Sequence, residues 1–555
     1  MTSAPSRVVT RYQRSAGNMS GNTSILECRS LSELLRRTCE AHAEKTAVVW
    51  GARQISYAEL LQRANAVASG LRAAGLRHGD RCAIWLPNTG EFVELYFGMA
   101  LAGVIAVPVN FRFTASEVSH VLSDSEPSAV ILHEQYRSTW EDTKLTSDRC
   151  RVSLCVEIGH GPTADYAIGY EPWLLGAGVA ADTVQTDEDL PFFIGYTSGT
   201  TGLPKGAVVR QRPMIENVAV ILRDYAPLGS EDRFLTLMPL FHSNSTWFVV
   251  TCVAIGATNV IMDSGSLSGE KILDVIDKQG ITATSLVPTI LQMVLDARRP
   301  GTDESGQSLR LLLCGSAPIT AAVKQRVLRE LSVDLVEGYG ATETGVVTSL
   351  PPAAQLGKLT SVGWPVTGKQ VQLRDSVGRE VPVGEVGELW CRGTAMLLDH
   401  YWRNESATRN ARDADGWYTV GDMARVDSDG AVFLVDRKND MIISGGENIY
   451  PTEVETALLR HASVHDAAVV GLPDERWGER VHAVVTLVKG AAATTADILD
   501  CASEYLARYK LPRSLEIWAD LPKTATGKIQ RRKVRETVVS TSIDSRDDLL
   551  TGEPV

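Results

Sequence analysis

The 555-residue chain contains no Cys-x-x-Cys pair, and its nine cysteines are odd in number and scattered from Cys28 to Cys501. That pattern excludes a disulfide-built scaffold and suits a reduced interior. His and Cys do not cluster at zinc-ligand spacing, so no zinc site is expected. A basic surplus is also missing. The formal charge is −12, which argues against nucleic acid as a partner. No long apolar run occurs. The most apolar stretch, "TWFVVTCVAIGATNVIM" at 246–262, is broken by Thr and Gly. It reads as a buried helix followed by a strand, not as a membrane span. Residues 1–25 lack an apolar signal core and read as a flexible leader, so a cytoplasmic location is expected. Neither an internal repeat nor a low-complexity tract is present.

The composition is 44% hydrophobic and 22% charged, that of a globular protein too long for one core. Residues 57–74 carry apolar side chains at helical spacing, and Gly75 stops them. "RCAIWLP", "VIAVPVN", "RFLTLMP", "ATSLVP" and "LRLLLCG" read as strands, with helices near 91–103, 213–225, 270–279, 287–297 and 319–331. Such alternation predicts an α/β fold of mainly parallel sheets covered by helices. From about 360 to 437, short strands between Gly and Asp turns predict a small β-rich subdomain. The expected domains are therefore 26–437, a small mobile α+β domain at 438–538, and a flexible tail at 539–555.

One loop asks for a ligand. "GYTSGTTGLPKGAVV", 195–209, surrounds a single lysine, Lys205, with Ser, Thr and Gly. Glycines such as Gly199 and Gly202 permit close backbone approach, so successive N–H groups can form an anion nest. Thr197, Ser198, Thr200 and Thr201 add hydroxyls and Lys205 a cation, a set suited to polyphosphate. It is not a Walker A loop, because Pro204 precedes the lysine and Gly206 follows it.

"YTSGTTGLPKG" resembles the signature loop of the adenylate-forming superfamily, which includes acyl-CoA synthetases, aryl-CoA ligases, adenylation domains and firefly-type luciferases. Further matches follow in that family's order: "MPLFHS" (238–243), "GSAPI" (315–319), "EGYGATET" (337–344), "GELWCRG" (387–393), "YTVGD" (418–422), "DRKNDMIISGGENIYPTEVE" (436–455) and "LPKTATGK" (521–528). The resemblance covers about residues 30–535 and implies an ATP-dependent acyl-CoA ligase. A carboxylate attacks the α-phosphate of ATP, pyrophosphate leaves, and a thiol then displaces AMP from the acyl-AMP.

The resemblance also implies roles. The loop Thr197–Gly202 with Lys205 receives the β- and γ-phosphates. Ser316, Ala317 and Pro318 with Glu337, Gly338 and Tyr339 hold adenine. Thr342 donates to the α-phosphate and Glu343 binds Mg²⁺, a hard cation that favours oxygen ligands. Asp422 accepts from the ribose hydroxyls, with Arg437 in support. Lys528 is the catalytic lysine that orients the carboxylate and neutralises charge on the α-phosphate. Arg531, Arg532 and Lys533 read as a solvated basic face. Phe241, His242, Ser245, Trp247, Gly340 and Val346 shape the acyl pocket, which suits a medium-sized or ring-containing acid. Asn439 is the hinge about which the small domain turns between the two steps. Ser444, Gly445 and Gly446 then line the path of coenzyme A.

The family's usual Thr-Gly-Asp reads Val420-Gly421-Asp422 here. The missing hydroxyl is worth on the order of 1 kcal/mol, too little to abolish ATP use. A form specialised for the thioester step is one alternative, and a ligase that loads a carrier protein's pantetheine is another. Expected partners are a small carboxylic acid, ATP and CoA, with a homodimer as a candidate assembly and neither nucleic acid nor membrane.

Overall fold

The structure, a computed structural model, describes residues 25–550 apart from 147–151, 178–188, 198–203, 266, 299–305, 318, 445–446, 475 and 525–526. The chain divides into two compact units, Met1–Val371 with Cys391–Val420, and Gln372–Trp390 with Gly421–Val555. The expected boundary at 437–440 falls inside the second unit. Strands Asp422–Val426 and Val432–Arg437 pair along their length, and the Thr452 N–H and the Arg531 guanidinium, both from beyond residue 440, bind back onto them.

Two helix-covered sheets form the bulk of the first unit. One sheet has nine strands among the described residues. Its central strands Thr258–Ile261, Arg233–Thr236, Ala283–Leu286, Leu311–Cys314 and Asp334–Ala341 are mutually parallel. The other has eight strands among the described residues, with a parallel centre of Ile105–Pro108, Arg81–Trp85 and Ala129–His133. The helices form where apolar period and caps agree. Helix Tyr57–Ala73 starts at Ser56, whose side chain accepts the Glu59 N–H, and Gly75 follows it at φ 87°. Its neighbour Glu91–Ala102 is buried along its whole length. The two approach closely because position 98 is glycine: a Cβ there would meet Val67 at 2.5 Å. The stretch 246–262 is the expected buried helix and strand, Ser243–Ile255 and Thr258–Ile261.

Register positions the site. Leu286 aligns with Cys314, and Cys314 with Glu337, across parallel pairs. The segments that follow, Gly315–Ser316 and Thr342–Glu343, therefore emerge at one end of the sheet. Ligands of open parallel sheets gather at the carboxyl ends of strands.

In the second unit, strands Ile442–Ser444, Glu447–Ile449, Val464–Asp474, Gly478–Leu487 and Ser514–Ile517 form one sheet. Val454, Leu458 and Ile498 from helices Pro451–Leu458 and Thr495–Ser503 pack with Val469 and Val485. Val534 and Val538 pack with Leu472 and Val484. Val534 and Val538 belong to helix Arg531–Leu550, which runs into the segment expected as a tail from 539. No Gly or Pro intervenes between Gly527 and Gly552 to stop it. Among the described residues, no helix is long and apolar enough to cross a membrane.

Candidate active site

Strands Pro191–Thr197 and Lys205–Arg210 form a hairpin in which Thr197 lies opposite Lys205. The loop residues Ser198, Gly199, Thr200, Thr201 and Gly202 fall outside the described residues. The hairpin delivers its lysine to a defined neighbour: Lys205 Nζ sits 6.0 Å from the centre of the Tyr401 ring. The Tyr401 hydroxyl in turn donates to Glu343 Oε1 at 2.7 Å. Strand Leu398–Tyr401 pairs with Lys205–Arg210, and this explains the meeting of residues so far apart in sequence.

Thr342 and Glu343 are both buried, at 8% and 7% exposure. The Thr342 hydroxyl shares a hydrogen bond with Ser243 at the start of helix Ser243–Ile255. A Cβ at Gly195 would lie 3.5 Å from Thr342 Cγ2, so the hairpin and this segment are neighbours. The main chain is fixed as well. Glu343 O accepts from the Leu397 and Leu398 N–H groups. The segment folds back at Gly345, φ 64°, and a Cβ on Gly340 would meet the Gly345 carbonyl at 2.4 Å. Only glycine fits at 340.

Around the expected adenine site, Ser316 is held at φ 65°, a left-handed conformation that is costly for a residue with a Cβ. Asn244 links it to the core, donating to Ser316 Oγ and accepting from Ser285 Oγ, both at 3.4 Å. Ala317 follows, and Pro318 falls outside the described residues. Tyr339 is buried, and a Cβ at Gly338 would meet the Tyr225 ring at 2.7 Å. The Glu337 carboxylate is turned to the fully buried Lys324 at 2.5 Å, an ionic contact and not an aligned hydrogen bond. Burial pushes Glu337 up to about 7 even though Lys324 pulls it down.

The expected acyl-pocket residues divide between ring contacts and the main core. The Phe241 ring meets Phe111 edge-on at 5.3 Å and lies 6.2 Å from the His242 ring. His242 precedes helix Ser243–Ile255 as its N-cap residue. Trp247 and Val346 are buried in the main core, and the buried Ser245 donates to the Met238 carbonyl at 2.9 Å.

In the second unit, Arg437 Nε approaches Asp422 Oδ1 at 3.2 Å across paired strands. Lys528 keeps exposed surface, yet the protein gathered around its ammonium, and the Arg437 charge after that, draw it down to about 8 against the pull of Asp422. Asn439 lies in the turn after strand Val432–Arg437, closed by the Asp440 N–H to the Arg437 carbonyl at 3.0 Å. Ser444 pairs with Glu447, while Gly445 and Gly446 fall outside the described residues. Arg531 is not part of a solvated face. It donates to Asp436 at 2.8 Å, to Asp440 at 3.1 Å, to Glu455 at 2.8 and 2.6 Å, and to Thr452 at 2.8 Å.

Tyr401 and Arg531 are thus neighbours of the expected residues that motif reading does not reveal. Among the described residues no group of three or more His, Cys, Asp or Glu could hold a metal. The Glu343 carboxylate beside a threonine hydroxyl fits Mg²⁺, which takes few protein ligands and completes its shell with water and phosphate.

Residues 35–402 match the AMP-binding enzyme family, and residues 453–528 match the AMP-binding enzyme C-terminal domain. A feruloyl-CoA synthase of an Amycolatopsis species is 37% identical over 491 residues, spanning 88% of this chain and 95% of that protein. The fatty acid–[acyl-carrier-protein] ligase ScoC of Streptomyces coeruleorubidus is 34% identical, spanning 91% of this chain and 96% of that protein. Among solved structures, the anthranilate CoA ligase AuaEII in complex with anthranoyl-AMP superimposes with a TM-score of 0.83 at 28% identity, covering 93% of this chain and 98% of its own.

Proposed function

Since the chain belongs to the AMP-binding enzyme family and is an ATP-dependent acyl-CoA ligase of the adenylate-forming superfamily, we propose which of its residues carry the two half-reactions. In the first, a carboxylate oxygen of the acid bonds to the α-phosphorus as the bond to the β-phosphate oxygen breaks. Pyrophosphate leaves and acyl-AMP forms. Lys205 and the hairpin loop hold the β- and γ-phosphates. Thr342 donates to the α-phosphate, and the Lys528 ammonium aligns the carboxylate and offsets charge growing on phosphorus. Asp422 accepts from the ribose hydroxyls, with Arg437 beside it. Glu343 would hold Mg²⁺, which supplies positive charge against the polyphosphate.

In the second half-reaction the CoA thiol releases its proton to solvent, its sulfur bonds to the acyl carbon, and AMP departs with the bonding pair. Lys528 is not needed there. A turn about Asn439 withdraws it and brings Ser444–Gly446 to the thiol. Phe241, His242 and Trp247 position the acid, and a ring-containing acid fits these side chains. The names of two similar proteins, a feruloyl-CoA synthase and an anthranilate CoA ligase, support that choice. The chain acts in the cytoplasm. The observation that carries the reading is the convergence of Thr197, Lys205, Thr342, Glu343 and Tyr401 from two sheets.

The test supplies ATP, Mg²⁺ and a panel of ring-containing and fatty acids, with CoA or with a pantetheine-bearing carrier protein. Mass spectrometry follows acyl-AMP, AMP and thioester. Ring acids giving acyl-CoA support the reading. Thioester on the carrier alone, as in the activity for which ScoC is named, would replace CoA as the acceptor.

A further inference from the structure

Lys369 begins strand Lys369–Arg374 and is 6% exposed. Its ammonium donates to Thr344 O at 2.6 Å, to Ala395 O at 3.0 Å and to Met396 Sδ at 3.0 Å. No carboxylate is among these partners. Burying a cation on neutral acceptors is unfavourable, and an apolar side chain would fill the space at lower cost. Burial accordingly draws the amine down to about 8, although Cys391 and Glu216 act in the opposite sense. Three acceptors still suit the ammonium. A neutral amine has only two N–H groups and would aim a lone pair at the third.

The acceptors belong to the two segments that hold Glu343. Thr344 follows it directly. Ala395 and Met396 precede Leu397 and Leu398, whose N–H groups bind the Glu343 carbonyl. The same segment runs on to Tyr401, which binds the Glu343 carboxylate. Both strands of this clamp bend sharply beside the lysine. Ala395 sits at φ 56°, unfavourable for a residue with a Cβ, and Gly345 at φ 64°. Backbone of this kind persists where the surroundings force it, and the Lys369 N–H groups are the side-chain donors that reach both bends.

We propose that Lys369 is a positioning residue for the adenylation step, clamping segments 342–345 and 395–398 together so that the Thr342 hydroxyl and the Glu343 carboxylate are held in place. The assignment rests on reading Thr342 and Glu343 as the nucleotide and metal groups. It acts through them and does not touch substrate.

The two half-reactions measured apart test this. Lys369→Met keeps most of the side chain's length and removes its charge and all three N–H groups. Acid-dependent ATP–pyrophosphate exchange reports adenylation, and synthetic acyl-AMP with CoA reports thioester formation. Exchange should fall about tenfold or more, chiefly in kcat, while thioester formation stays within about twofold of wild type. Equal losses in both steps, or no loss in either, overturn the proposal. Lys369→Gln, which restores two N–H groups, should recover part of the exchange. If the Met variant does not fold, the Gln variant is judged by the same split. Glu343→Gln separates the two layers. Full exchange in that variant refutes the reading of Glu343 itself. Wild-type exchange in Lys369→Met beside a disabled Glu343→Gln refutes the clamp alone.

Discussion

Replacing Tyr401 with Phe removes one oxygen from the site and little else. The lost bond runs from a hydroxyl to Glu343 Oε1 at 2.7 Å. A hydrogen bond to a charged group contributes about 1.5–3 kcal/mol, and each 1.36 kcal/mol is roughly a factor of ten in rate. Two facts decide where in that range the effect falls. Glu343 is only 7% exposed, so water replaces the hydroxyl poorly. Tyr401 itself is half-buried, which admits some solvent from its side. The lower half of the range follows, about 13–45-fold in acyl-AMP formation. The ring remains, so the contact with Lys205 at 6.0 Å persists, and its contribution of about 0.5–1 kcal/mol changes by a fraction of that. The strand pairing of Leu398–Tyr401 is untouched, and folding should be normal. Acid-dependent ATP–pyrophosphate exchange measures the loss, and thioester formation from supplied acyl-AMP is the control. Exchange within about twofold of wild type would refute the claim that the hydroxyl holds a working Glu343. Equal loss in both steps would reduce Tyr401 to a packing residue.

Lys528 works as the ammonium, which predominates below its pKa of about 8, so exchange should decline as pH rises through that value; Lys528→Arg should lower the rate but carry the decline beyond about pH 10. A pH–rate profile of both proteins checks this. Lys324→Met leaves the Glu337 carboxylate buried without its partner, at a cost of about 3–5 kcal/mol in urea unfolding at pH 8. Because the Glu337 pKa is raised to about 7 in the folded state, the protonated form favours folding, and the loss should shrink as pH falls through that value. Asp436 binds Arg531 at 2.8 Å and the Thr452 N–H at 2.7 Å, both from beyond Asn439 in the chain. The proposed turn about Asn439 would break these contacts, so Asp436→Ala should slow acyl-AMP formation and leave thioester formation equal or faster; parallel loss of both would make the network purely structural.

Periodicity located the elements well wherever local sequence and tertiary packing demand the same thing. Helix Tyr57–Ala73 has its apolar period, its Ser56 cap and its Gly75 stop, and it forms within a residue of expectation. The helix near 213–225 shows the limit. It is α-helical over Gln211–Val220 and then widens to π over Ile221–Tyr225. Tyr225 packs against Gly338, and no local signal encodes a partner over a hundred residues away. The site divides in the same way. Thr342, Glu343, Asp422 and Lys528 stand in strings that resemble the family's motifs and follow in the family's order, and their proposed roles come from that resemblance. Tyr401 and Lys369 stand in ordinary strands and acquire meaning only when sheet order brings them to the 342–345 segment. Arg531 looked like a solvated charge because its acids, Asp436, Asp440 and Glu455, lie far back in the chain.

Net charge misleads in an instructive way. A formal charge of −12 disfavours a long polyanion, whose many phosphates sample the whole surface. A nucleotide is different, because its charges span less than two Debye lengths, each about 8 Å at physiological salt. What matters is local potential, and the proposed cations are Lys205, beside Tyr401 in the first unit, and Arg437 and Lys528, by Asp422 in the second. Lys369 is buried and adds positive potential to the Glu343 segment with no carboxylate in hydrogen-bond contact to cancel it. Composition averages over distances that solvent has already screened. Polyphosphate binding is therefore compatible with an acidic chain, provided that the cations are gathered by the fold, and it should weaken with added salt far less than binding to a surface patch does.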